Sequence, residues 1–233
     1  TRFEPNYGPW RQADVAMGDD GVVAGSIMAL PICELFQYWM GIEGMAEGIH
    51  LYPDRFDALI DALNQHYWRQ AELAAGSPAE LIWFPESLSA HVISRPLFQR
   101  YCLPAYERAV PVVREAGKLI TAHYDGTFRP IVDLLAQVDI PIIEAFTPPP
   151  MGDLSVAEAK AAWPDKVIWV NFPGCLFLEP AEAIYSYTLD LLCSGAPGGR
   201  LVLGCTEDFP AGEFVKTYTA MGRALADYQG YAW

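Results

Sequence analysis

Residues Leu119–Pro150 read LITAHYDGTFRPIVDLLAQVDIPIIEAFTPPP, and this stretch decides the fold. An apolar run, Leu119–Ala122, ends in His123-Tyr124-Asp125-Gly126. A helical pattern follows over residues 128–138, and a second apolar run, Ile140–Ile143, ends in Glu144. Two successive buried-strand signals therefore each deliver a metal-capable or titratable residue at the strand's C-terminal end. A third, Leu201–Gly204, ends in Cys205. Three strand ends that offer His-x-Asp, Glu and Cys look like one site built from several segments.

The rest of the chain repeats this alternation. Pro53 sits at a helix N1 position, where its missing N–H costs nothing, and Phe56, Ile60, Leu63 and Tyr67 follow at helical spacing, predicting a helix over 53–75. Leu81–Phe84 reads as a strand ended by Pro85-Glu86. Ser94 caps the next helix, in which Pro104 and Pro111 must make kinks or breaks before Gly117. Ser155-Val156-Ala157-Glu158 is a capping box opening a helix to Ala162. Val167–Val170 is a strand that runs into Asn171-Phe172-Pro173-Gly174. Pro180 opens a helix to Cys193, and after strand 201–204 a last helix spans 212–228. Towards the N-terminus, Val22–Leu30 reads as a strand diluted by Gly25 and Ser26, with a helix starting near Pro31; residues 1–20 receive no element.

Six strand–helix alternations with near-continuous apolar strands imply a parallel sheet, expected with helices on both faces. A (β/α)8 TIM-type barrel is preferred over an open doubly wound sheet, because the candidate residues fall at many strand ends rather than at one switch point. Six units are fewer than eight, so residues 1–233 are expected to form a single barrel domain lacking its N-terminal strands, the C-terminal two-thirds of a full-length barrel.

Composition narrows the class. A hydrophobic content of 52% with 13% aromatics excludes disorder, and no window approaches a membrane span. The first residues, TRFEPNYGPW, are no signal peptide, and the absence of an initiator Met suggests a start inside a longer product. A net charge of −14 argues against nucleic acid as a partner. Five widely spaced Cys without CxxC read as reduced thiols, and a cytoplasmic location is expected.

Zinc takes Cys, His and carboxylate ligands in tetrahedral sites, with one position open in catalytic ones. His123 and Asp125, two apart, face one point if the strand geometry persists, and Glu144 comes from the next strand. Glu144 lies among Ile142, Ile143, Ala145 and Phe146, where a carboxylate needs a partner, a metal or a raised pKa. The plainer reading of His123 is a hydrogen-bonded structural residue, and of Cys205 a small apolar one. Glu86 is a further acid–base or substrate-binding candidate, and His91 and Asn171 are placed to touch a ligand. Tyr124, Phe146 and Phe172 would line an aromatic pocket, with Glu207 and Asp208 as outer partners that orient His123.

HYDG after an apolar strand, IIEAFTPPPMGDL, VIWVNFPG and LGCTEDFP together resemble the uroporphyrinogen decarboxylase superfamily, and within it the zinc-dependent, corrinoid-linked methyltransferase branch. The resemblance covers most of the chain and is strongest from Glu86 to Pro210. It implies a (β/α)8 barrel, a methyl transfer between a small methylated donor and a corrinoid protein, and zinc held by His123, Glu144 and Cys205. Thiol-activating members have Cys where this chain has Asp125, so the metal is expected to be harder and to suit O-demethylation of a methoxylated aromatic. A homodimer is a further possibility that such a barrel raises. The alternatives are a metal-free decarboxylase-like enzyme, for which Arg11, Arg95, Arg100, Arg129 and Lys166 would have to supply a basic pocket, and a non-catalytic member that docks a corrinoid protein.

Overall fold

The computed structural model describes residues 4–228. Six strands, β1 (Gly25–Ser26), β2 (Leu81–Phe84), β3 (Leu119–His123), β4 (Ile142–Phe146), β5 (Val167–Asn171) and β6 (Leu201–Gly204), form one sheet. Their spatial order is their sequence order, and every neighbouring pair is parallel. Without an order reversal there is no switch point, so the sheet is singly wound, as in an α/β barrel of which six of eight strands are present. Helices therefore cover one face only, not the two expected from strand hydrophobicity. Side chains at Ile82, Phe84, Ile120, Ala122, Ile143, Ile168 and Val170 are buried and belong to the core. Their alternates, Leu81, Trp83, Thr121, His123, Glu144 and Trp169, line the concave face, and no helical residue contributes to that lining.

Most elements form where local chemistry demands. The helix Pro53–Ala75 starts on its proline, and Ser155 and Glu158 close the capping box of Val156–Ala162, with Ser155 Oγ accepting from the Glu158 N–H at 3.2 Å. Pro104 follows a wide-turn segment, Phe98–Cys102, which absorbs the hydrogen bond that a proline cannot make. Three elements differ from expectation. The first strand is only Gly25–Ser26 because, once the Ile27 N–H has bonded Trp83 O of β2, the next N–H groups leave the sheet: Met28 N–H donates to Gln70 Oε1, Ala29 N–H to Glu34 Oε1 and Leu30 N–H to Glu86 Oε2. The helix expected over 128–138 is a 3-10 turn, Arg129–Ile131, and one turn at Val132–Leu135. Residues 8–17, given no element, form an exposed helix that opens on Gly8-Pro9.

The N-terminal ends of the strands are locked by two lysines. Lys118 Nζ reaches Ser77 O and Ala79 O at 2.7 and 2.6 Å, and Lys166 Nζ reaches Val138 O and Ile140 O at 2.6 and 2.9 Å. No helix of the described residues is long and apolar enough to cross a membrane.

Glu86 is wholly buried among the helices rather than exposed on a loop. It accepts hydrogen bonds from the Leu30 N–H and from Tyr67 Oη, the latter at 3.0 Å. Burial pushes its pKa up from 4.5 to about 8, and the hydrogen bonds from Leu30, Tyr67 and Tyr106 only partly oppose it. A folded-state pKa above the unfolded value means that stability is greatest below pH 4.5 and is lost as pH rises through 8. The cost of ionising Glu86 is about 3–5 kcal/mol at high pH. In chemical denaturation between pH 5 and pH 9, the wild-type protein should lose stability by that order, and Glu86→Gln should flatten the profile. An unchanged slope in Glu86→Gln would assign the pH dependence to other groups.

Candidate active site

The concave face narrows to a hollow of about 480 Å³ lined by Val22, Ala24, Leu81, Trp83, Thr121, His123, Glu144, Trp169 and Thr206. His123 ends β3 and Glu144 is its direct partner on β4. Glu144 Oε2 receives two hydrogen bonds, from His123 Nδ1 at 2.7 Å and from Trp83 Nε1 at 3.1 Å. One carboxylate oxygen thus ties together three neighbouring strands. On its other side His123 Nε2 lies 3.4 Å from Asp125 Oδ2. Trp83 also stands edge-on to the imidazole, with ring centres 5.8 Å apart at 88°.

The local backbone separates the face of Glu144 from that of Phe146. The β4–β5 register shifts between Ile143 and Phe146, so Glu144 and Ala145 together oppose one residue of β5. Ala145 has φ 58°, the left-handed conformation of such a bulge, at a cost of about 1–2 kcal/mol. Plain alternation after the outward Ile143 already turns Glu144 to the hollow beside His123; the extra residue flips the alternation beyond it, so Phe146 is driven into the helix layer against Phe128 and Trp163. Gly126, just past Asp125, has no room for a side chain, since a Cβ there would lie 2.6 Å from the Ser89 Cα.

The imidazole is held in an acidic setting. Burial pulls the His123 pKa down, but the hydrogen bonds and charges of Asp125 and Glu144 outweigh it and raise the value from 6.5 to about 9. In chelator-treated protein, the His123 ring signals in an NMR titration should move with a pKa near 9, and Glu144→Gln should bring it down toward 6.5. An unshifted pKa in that variant would mean that Asp125 alone holds the proton.

Other expected site residues lie elsewhere. Cys205 is not with His123, Asp125 and Glu144. Gly204 precedes it with its α-carbon turned to Trp169, so the next side chain points outward, where Sγ lies 4.0 Å from Met221 Sδ. Burial pushes that thiol's pKa up, partly opposed by a hydrogen bond with Tyr218. Tyr124 is buried with its hydroxyl on Tyr106 Oη, 3.0 Å away, and Phe172 is stacked on Phe177; both belong to the helix layer. Asn171 is buried and fully engaged, donating to Thr147 Oγ1 and Glu207 Oε1 at 3.1 Å each and accepting from the Thr206 N–H at 2.8 Å. It ties the loops after β4 and β6 together. His91 is exposed in a turn outside the hollow, and Glu207 orients Asn171 rather than His123. Trp83, Trp169 and Thr121 were missed; the signal was their alternation with buried residues in LIWF, VIWVN and LITAH.

A larger cleft of about 540 Å³ lies between the first helix and Pro53–Ala75. No histidine or cysteine lines it, and Tyr7, Trp10 and Gln70 spend their polar atoms on Leu73 O, Val23 O and the Met28 N–H. The site is therefore placed in the concave hollow, at the strand ends where such barrels carry their chemistry.

A parallel, singly wound α/β sheet with its polar residues gathered at the strand C-termini defines an enzyme-like half-open barrel. The model of the uroporphyrinogen decarboxylase (URO-D) family matches residues 21–205, and the chain belongs to that family. Among solved structures, a methyltransferase from Methanosarcina mazei superposes with a TM-score of 0.68 at 14% identity. That alignment covers 91% of this chain and 62% of the other, so this chain spans under two-thirds of its neighbour's length, and the likeness is one of fold. A comparison with curated protein sequences finds no significant match.

The donor set for zinc is incomplete. Two ligands about 2.1 Å from one tetrahedral ion stand about 3.4 Å apart, which is the His123 Nε2–Asp125 Oδ2 separation. Glu144 on Nδ1 has the place of the carboxylate that orients a metal-bound imidazole. With Cys205 turned away, no group of three or more His, Cys, Asp or Glu among the described residues is arranged to hold a metal. As they stand, these residues do not fit a zinc site.

Proposed function

We propose that this chain is a methyl-transferring member of its family, binding a small methylated donor in the hollow and passing the methyl group to a corrinoid protein. The observation that carries the reading is the lining of the hollow: His123 held between Glu144 and Asp125, with Trp83 and Trp169 and without lysine or arginine. A porphyrinogen bears several carboxylates and needs cations to meet them. The candidate cations are committed elsewhere: Arg95 to Asp133, Arg100 to Asp57, Arg129 to Asp153 and Glu158, and Lys166 to carbonyls at the opposite end of the sheet. Arg11 sits on the exposed first helix. The name of the structural neighbour, a methyltransferase, supports the same choice.

The corrinoid supplies a nucleophilic cobalt that accepts the methyl group. The protein's own task is to hold the donor's heteroatom still, keep water away and leave the methyl facing the mouth. Glu144 is suited to this because Trp83, His123 and the bulge fix its position before any ligand arrives. A protein partner has a surface to meet beside the mouth. Gln37 Nε2 donates to Glu86 O at 3.1 Å, anchoring the Leu35–Trp39 segment near the C-terminal end of β2, and Tyr38 and Trp39 are each 72% exposed there.

A second reading adds zinc and is favoured by the 3.4 Å His123–Asp125 separation. His123 and Asp125 would be donors, with Cys205 joining only if its loop turned the thiol inward. Zinc would then act as a Lewis acid on the ether oxygen of a methoxylated aromatic.

Two measurements test these readings. Methylation of cob(I)alamin, followed by absorbance, should proceed with a methylated donor and fall by about 10²-fold in His123→Ala and Glu144→Gln; full rates in both variants would move the site elsewhere. Elemental analysis of protein offered zinc should find about one ion per chain if the second reading holds, lost in Asp125→Ala; absence of metal after zinc is offered removes that reading.

A further inference from the structure

Resting on the methyl-transfer reading, the hollow also discriminates between classes of donor. We infer that it binds small methylated ammonium cations, and that such a cation rather than a neutral ether is the methyl donor. Two independent features point there.

Charge comes first. Glu144 and Asp125 present two carboxylates against one imidazole, so the centre stays net negative whether or not the ring is protonated. No lysine or arginine lines the hollow, and the whole chain carries −14, a field that favours cations. Aromatic lining is second. Trp83 and Trp169 both belong to the hollow, and indole is the best of the side-chain faces for a methylated cation.

The chemistry agrees with this choice. The C–N bond of the donor breaks with its electron pair kept by nitrogen, which leaves as a neutral amine. The pair on the reduced cobalt forms the new bond to carbon. A neutral leaving group asks for neither a proton nor a Lewis acid, whereas an aryl ether departs as phenoxide and needs one of them.

The test compares choline with 3,3-dimethylbutan-1-ol, its uncharged carbon isostere, and with 2-methoxyphenol, by calorimetry on the whole chain. Choline should bind roughly tenfold more tightly than the isostere, with the preference lost in Glu144→Gln and affinity reduced several-fold in Trp169→Leu. Equal binding of the isosteric pair, tighter binding of 2-methoxyphenol, or no choline binding at millimolar concentration overturns the inference. Methyl transfer to cob(I)alamin separates this failure from that of the underlying reading. Transfer from 2-methoxyphenol but not choline keeps methyl transfer and overturns the cationic donor. Selective choline binding with no transfer from any donor keeps the cation site and overturns both its role as donor and the methyl-transfer reading.

Discussion

Every strand of this sheet must satisfy two different neighbours at once, and the rest of the structure follows from that constraint. Successive side chains point to opposite faces, helices on one side and the hollow on the other. Outward positions such as Ile82, Ile120, Ile143 and Ile168 are apolar and buried. Inward ones change along the strand, from Leu81 to Trp83 on β2 and from Thr121 to His123 on β3. Polarity therefore rises toward the C-terminal ends, while Lys118 and Lys166 clamp carbonyls at the opposite ends. Stability and chemistry occupy different ends of the same six strands.

Two glutamates show how much the face matters. Glu86 follows β2 on the helix side, where it meets the Leu30 N–H and Tyr67 Oη but no cation, and burial favours its neutral form. It acts as an anchor, holding Leu30 out of the sheet and on the helix layer. Glu144 faces the hollow, meets an imidazole and an indole N–H, and keeps its second oxygen available to a ligand. Identical side chains thus serve packing in one place and recognition in the other. The difference comes from strand parity: Glu86 is in phase with the outward Ile82 and Phe84, and Glu144 with the inward Ile142.

The hollow itself combines features that are individually ordinary. An indole N–H on a carboxylate and a histidine between two acids each occur in many structures. Together they line one concave surface that has two indoles, a carboxylate and an imidazole but neither lysine nor arginine. Tyr38 and Trp39 stand exposed on the segment that Gln37 ties to Glu86 O.

Much of this was legible in the sequence. The helix Pro53–Ala75, the strands at 81–84 and 201–204 and the capping box at Ser155 follow from proline position, apolar runs and local side-chain hydrogen bonds, all of which are short-range. So does the meeting of His123, Asp125 and Glu144, which needs only adjacent parallel strands. Alternation would also have turned Tyr124 and Phe172 outward and Trp83 and Trp169 inward, had it been applied to every strand rather than to strand ends alone. What only the tertiary structure decided was longer in range. The bulge at Ala145 depends on β4–β5 pairing, the outward turn of Cys205 on the phase of β6, and the removal of Met28–Leu30 from the sheet on Gln70, Glu34 and Glu86. Short-range preferences set each element's kind and limits; which face a residue presents is settled by the register between strands, and that exists only once the chain has folded.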